Sequence, residues 1–144
     1  MSEAVMTKVI TEAEFGTLAC IGENGYPYAI PLNFVYENNV IYFHSAHKGH
    51  KIDNINYNTK VSFSAVNYAR LIPEKFDTEY DSVVAFGQAS EVVEEEEKRQ
   101  ALILLIKKYS QEYTEQGLLY IARSMKGAAV YKINIEHMTG KLGR

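Results

Sequence analysis

The feature that most constrains this chain is the alternation between residues 28 and 36, where Tyr28, Ile30, Leu32, Phe34 and Tyr36 are apolar or aromatic at every second position. A period of two puts those side chains on one face of an extended segment, which predicts a half-buried strand rather than a helix. Turn chemistry brackets it. Glu23-Asn24-Gly25 precedes it and Glu37-Asn38-Asn39 follows it, and Asn and Gly tolerate positive φ. Thr17 to Ile21 and Val40 to His44 are the partner strands such turns deliver, giving an antiparallel meander. Further strands are expected at Val61 to Val66, Ser82 to Val93 and Ala129 to Ile135, with Gly87 marking a bulge or a close approach by another group. The polar segment around Pro73 reads as a crossing loop.

Helical spacing occupies much of the remainder. Met6, Val9, Ile10 and Ala13 follow Ser2, a suitable N-cap, and Gly16 stops the helix. Residues 45–55 read as a loop entering a short helix, in which Ile52 and Ile55 are three apart. Glu94 to Tyr109 is the clearest helix: Ala101, Leu102, Leu105, Ile106 and Tyr109 form an apolar stripe, glutamates open it, and Lys107 and Lys108 close it, matching the helix dipole. Leu118 to Met125 predicts one more helix, ending near Gly127. Consecutive antiparallel strands with helices at the ends and in one late connection describe a mainly β, α+β fold, a barrel of about six strands with peripheral helices. No repeat or linker divides residues 1–144, so one domain is expected.

Charge and composition exclude several functions. Fifteen basic against eighteen acidic residues give a net charge of −3, so there is no field to gather a polyanion and nucleic-acid binding is not expected. The longest apolar run is Ala101 to Ile106, and Glu3, Glu12 and Glu14 interrupt the start of the chain, so neither a membrane span nor a signal peptide is expected. Cys20 is the sole cysteine; a reducing compartment, the cytoplasm, is the expected location.

The segment richest in chemistry is His44 to Lys51. A strand ends there, Ser45 offers a hydroxyl, and Lys48 and Lys51 stand three residues apart at the start of a helix. Two ammonium groups on one face, with the free N–H groups of a first helical turn, suit a phosphate monoester; taken alone, the same pair is also an ordinary solvated face. His44, His47 and His50 repeat every third residue, but Lys48 and Lys51 among them would repel a dication, so no metal site is expected. Pro31 cannot donate to a ladder and belongs at an edge, at a bulge or beside a flat ligand, and Asn33 follows on the same face with an amide suited to a heterocycle or to a local turn. Cys20 has no nearby basic residue in sequence and reads as a buried thiol, and Ser45 beside His44 lacks the strained elbow of a hydrolase.

These residues carry a family likeness. Gly25-Tyr26-Pro27-Tyr28, Ile30-Pro31-Leu32-Asn33-Phe34, Ile41-Tyr42-Phe43-His44-Ser45-Ala46 and Gly49-His50-Lys51-Ile52-Asp53 resemble, in order and spacing, the pyridoxamine 5′-phosphate oxidase-like FMN-binding split barrels, and among them most nearly the 5-nitroimidazole-resistance proteins. The likeness continues through Tyr80-Asp81-Ser82-Val83-Val84, Phe86-Gly87 and the helix from Lys98 to Tyr109. It implies a six-stranded antiparallel split β-barrel that forms a homodimer with FMN between the subunits, acting as an oxidoreductase between a small electron donor and an acceptor such as a nitroaromatic. The alternative it leaves is a split barrel that binds flavin or haem without turnover. It also implies that Ser45, Ala46, Lys48 and Lys51 hold the phosphate and that Pro31, Leu32 and Asn33 line the flavin ring. By the same resemblance Tyr80 and Ser82 are expected to reach the flavin and His44 to contact substrate. Glu79 and Asp81 flank Tyr80 where relatives often carry basic residues, so the resemblance does not extend to an anionic second substrate there.

Overall fold

Seven strands and four helices follow one another in the computed structural model, which describes residues 1–143. In chain order they are α1 (Glu3–Glu12), β1 (Gly16–Ile21), β2 (Pro27–Leu32), β3 (Val35–Glu37), β4 (Val40–Ser45), α2 (His50–Tyr57), β5 (Lys60–Ile72), β6 (Asp77–Glu91), α3 (Glu95–Tyr109), α4 (Thr114–Ser124) and β7 (Ala129–Leu142). All neighbouring strands are antiparallel, in the order β2-β1-β5-β6-β7-β4-β3. The two edge strands are consecutive in the chain and only Asn33 and Phe34 separate them. Edges that close in sequence force the sheet to curl until they meet, which produces a barrel left open along one seam.

The expected six strands become seven because the segment from Tyr28 to Tyr36 does not run as one piece. It pairs with β1 as far as Leu32, then crosses the seam and pairs with β4 from Val35. The crossing loop expected around Pro73 is instead the tip of a long hairpin. Pairing of β5 with β6 continues past a bulge at Val66/Tyr68 to Ile72 opposite Asp77, and Pro73–Lys75 forms a single 3-10 turn. Tyr68, Ile72, Thr78 and Tyr80 favour extended backbone, and Pro73 opens the turn, where its missing N–H costs nothing. Gly87 meets both expectations at once. The register between β6 and β7 shifts there, and a Cβ at this position would collide with the carbonyl of Asn134.

Leu18, Phe34, Ile41, Phe43, Phe63 and Ile133 are fully buried in the barrel interior, where Val9, Ile10 and Ala13 of α1 and Ile52 and Ile55 of α2 pack against them. A second apolar cluster lies outside the barrel. Leu102 and Leu105 of α3 and Ile121 of α4 cover Val35, Val92 and Val130. Glu97 fastens α3 to the sheet by accepting hydrogen bonds from the Tyr42 hydroxyl at 2.8 Å and the Lys132 ammonium at 3.1 Å. The other half of the outer surface presents small side chains. Register aligns Pro31, Thr17, Ser64 and Val84 in one row and Ala29, Ala19, Ser62 and Phe86 in the next. Ile21, Val66 and Phe86 on this side are exposed. Among the described residues no helix is long and apolar enough to cross a membrane.

Candidate functional site

Alternation along β4 sends Ile41 and Phe43 into the barrel and Tyr42 and His44 outward, toward α3 and α4. At Ser45 the strand ends, and Ala46 to Gly49 turn the chain into α2. Gly49 holds φ +149°, a value at which a side chain would be strained and glycine is not. The turn is tied down at its middle, where the His47 Nε2–H donates to the carbonyl of Lys126 at 3.1 Å, joining it to the far end of α4.

Between the end of β4 and the two helices lies a groove of about 490 Å³. Asn33, His44, Ser45 and Ala46 form its polar side, and Leu102, Leu105, Ile121 and Met125 stand among the residues of the helical wall. Among the described residues no Asp, Glu, Lys or Arg lines it. Burial, helped by the nearby Lys51 charge, holds the His44 imidazole below its ordinary pKa even though the residue as a whole is exposed. The side chain is therefore open at one edge and desolvated at its ring, so the neutral imidazole is favoured at neutral pH. Lys51 is half-buried in the first turn of α2, with its ammonium 5.8 Å from the centroid of the Phe43 ring, and burial lowers its pKa too.

The structure brings Asn33, His44, Ser45 and Ala46 together in one groove, and β2 leads Pro31 and Leu32 directly to Asn33. The two lysines are not equivalent. Lys48 is exposed and precedes the helix, so it does not share a helical face with Lys51 as the spacing predicts; Gly49 starts α2 too late for that. Tyr80 and Ser82 lie apart from the groove within one chain. Tyr80 borders a separate depression of about 880 Å³ with Leu71, Phe76 and Lys141, whose ammonium donates to the Tyr80 hydroxyl at 3.1 Å. Ser82 pairs opposite Val66 on the small-residue half of the sheet, the same half as Pro31. His50 packs edge-on against Tyr28, with ring centroids 4.7 Å apart. Cys20 is buried and within 3.5 Å of the Asn54 amide nitrogen.

Sequence reasoning missed Tyr109, Ser110, Tyr120 and Ser124, which also line the groove. Tyr109 was legible as a stripe residue of α3, but nothing local to it shows that the last turn of that helix returns to the seam of the barrel.

The model of the family described as pyridoxamine 5′-phosphate oxidase matches residues 2–142. A crystal structure from Bacteroides thetaiotaomicron, provisionally described as a 5-nitroimidazole antibiotic resistance protein, superposes with a TM-score of 0.78 at 24% identity, covering 96% of this chain and 82% of that one. A conserved hypothetical protein from Mycobacterium tuberculosis gives a TM-score of 0.85 at 22% identity, covering 100% and 86%. An FAD and heme binding protein from Mycobacterium smegmatis gives 0.82 at 15% identity, covering 99% and 72%. At these identities the likenesses establish the fold. The comparison with curated proteins finds no match.

Proposed function

The chain belongs to the pyridoxamine 5′-phosphate oxidase family, and from that premise we propose that it binds FMN and serves as an oxidoreductase toward a small acceptor such as a nitroaromatic compound. The observation that carries this reading is the groove itself. It places a neutral imidazole, a hydroxyl and an amide at the point where β4 hands over to the lysine-bearing helix.

The donor set suits the cofactor. Lys51, the Ser45 hydroxyl and the backbone around Ala46 would hold the phosphate, with Lys48 adding charge from solvent. Pro31, Leu32 and Asn33 would meet the ring, since β2 is an edge strand whose outer side is free to face a flat heterocycle. When bound, the flavin would supply two-electron chemistry between a reduced nicotinamide donor and the acceptor. His44 would contact the acceptor, and the helical wall would exclude water. A homodimer belongs to the same reading: the small-residue half of the sheet, carrying Pro31 and Ser82, is where a second copy would pack and where Tyr80 and Ser82 would be offered to the flavin of the other chain. A cytoplasmic location is supported by the lone, buried Cys20.

A second reading is binding without turnover, of flavin or of haem. The neutral His44 imidazole in an uncharged groove favours it, because such an imidazole can also ligate haem iron. The visible spectrum of the protein as isolated separates the cases, a flavin band against a Soret band, with the released chromophore identified after denaturation. Reduction by NADH or NADPH followed by reoxidation with a nitroaromatic supports the enzyme. A flavoprotein that neither donor reduces and that turns over no nitroaromatic favours binding alone.

A further inference from the structure

Where the chain crosses the seam, Phe34 lies beyond the last pairing of β2, Leu32 with Gly16, and before the first pairing of β3, Val35 with Tyr42. Its side chain is fully buried, so its N–H and C=O need partners from outside the ladder. The last turn of α3 supplies them. Phe34 N–H donates to the Tyr109 hydroxyl oxygen at 3.0 Å, and Lys108 Nζ donates to the Phe34 carbonyl at 2.9 Å. The Tyr109 hydroxyl also lies 2.9 Å from that carbonyl and is hydrogen-bonded to the carbonyl of Glu14. The Lys108 ammonium is 3.8 Å from the centroid of the Phe34 ring, a cation–π contact that adds to its grip. Asn33 is the residue immediately before Phe34 and lines the groove beside His44.

We propose that Lys108 and Tyr109 are positioning residues for the candidate site: they clamp the backbone at the seam and thereby fix where the Asn33 amide stands in the groove. The role rests on the flavin reading only for what Asn33 then touches. Two residues without ladder partners would otherwise have several arrangements open to them, and a site amide is useful only if its support holds one. Lys108 is not among the groove-lining residues, and it reaches the groove through the Phe34 carbonyl and through the Tyr109 ring, whose centroid is 5.1 Å from its ammonium.

Lys108→Met keeps the apolar stem and removes the ammonium, Lys108→Arg restores a cationic donor, and Tyr109→Phe removes only the hydroxyl. Amide correlation spectra of the chain without cofactor read the Asn33 side-chain amide and the Phe34 backbone amide. Titration with FMN reads affinity and the shape of the flavin band. Lys108→Met and Tyr109→Phe should shift the Asn33 resonances, weaken FMN about tenfold and perturb its band, and Lys108→Arg should recover most of both. Unmoved Asn33 resonances in the two variants overturn the proposal, even if the melting temperature falls, because that pattern is stabilisation alone. If Lys108→Met does not fold, Lys108→Gln, which also removes the ammonium and lies outside the groove, decides by the same resonances. Failure of the wild-type chain to bind FMN sinks the flavin reading but leaves the positioning role to be judged by the Asn33 resonances.

Discussion

Lys51 is the half-buried cation at the start of α2, and its substitution is the most direct test of a phosphate site there. Lys51→Ala should weaken FMN binding by about 1.5–3 kcal/mol, the range for a charge-assisted hydrogen bond. Calorimetric titration showing wild-type affinity would place the phosphate elsewhere. His44→Ala should leave FMN bound and lower nitroaromatic turnover by about 10²-fold, the low end of what a positioned imidazole contributes; loss of the flavin instead would make His44 a cofactor ligand. Lys108 offers a test in pH. Burial pushes its pKa from 10.5 down to about 8. Between those values the unfolded chain keeps a proton that the folded chain has released, so stability rises with pH; this contribution is complete above the unfolded pKa and lost as pH falls through about 8. The wild-type melting temperature minus that of Lys108→Met should therefore climb from pH 8 to pH 10, and a difference independent of pH would show that Lys108 titrates normally. Of these residues, Ser45 and Lys51 stand out by their place at the end of a strand, a pattern that also fits a solvated face, and the roles expected of these two and of His44 came from the family resemblance. The bond from Lys108 to a carbonyl 74 positions away was not legible, because in sequence it is one of two lysines at a helix C-terminus.

At the scale of elements, the decisive join is α3 against the sheet, since this helix forms the groove wall. Glu97 accepts from both Tyr42 and Lys132, which keeps its carboxyl below its ordinary pKa, while burial and then the bond to Glu97 push the Tyr42 hydroxyl up to about 12. Glu97→Gln keeps the shape and loses the charge, and should destabilise the fold by about 1–3 kcal/mol in denaturant unfolding. An unchanged midpoint and slope would show that apolar packing of Leu102 and Leu105 holds α3 without the anchor. The helix itself was plain from its stripe and its terminal charges. Its docking partners were not, because Tyr42 and Lys132 lie on strands and alternate with core residues, so period-two patterning assigns them only to an outer face.

For the whole molecule, the half of the barrel left bare by the helices is the face on which a second copy would pack. Phe86 is exposed there, in the row that runs through Ser62 and Ala19 to Ala29. If a second copy packs on this face, Phe86→Glu should turn a dimer into a monomer in sedimentation while leaving far-ultraviolet dichroism unchanged, and should reduce FMN retention with it. A wild-type chain that sediments as a monomer would end the shared-site reading.

The sequence alone determined the antiparallel β architecture, the peripheral helices and the strand-to-helix junction at His44 to Lys51, because alternation, turn residues and helix-end charges are local signals that each act within a few positions. Only the tertiary structure decided that one strand breaks at Asn33 to cross a seam, that the Pro73 segment tips a long hairpin, and that α3 closes the groove and clamps the seam. Those outcomes depend on which edge meets which after the sheet curls, a matter of long-range pairing and burial that no short window of residues encodes.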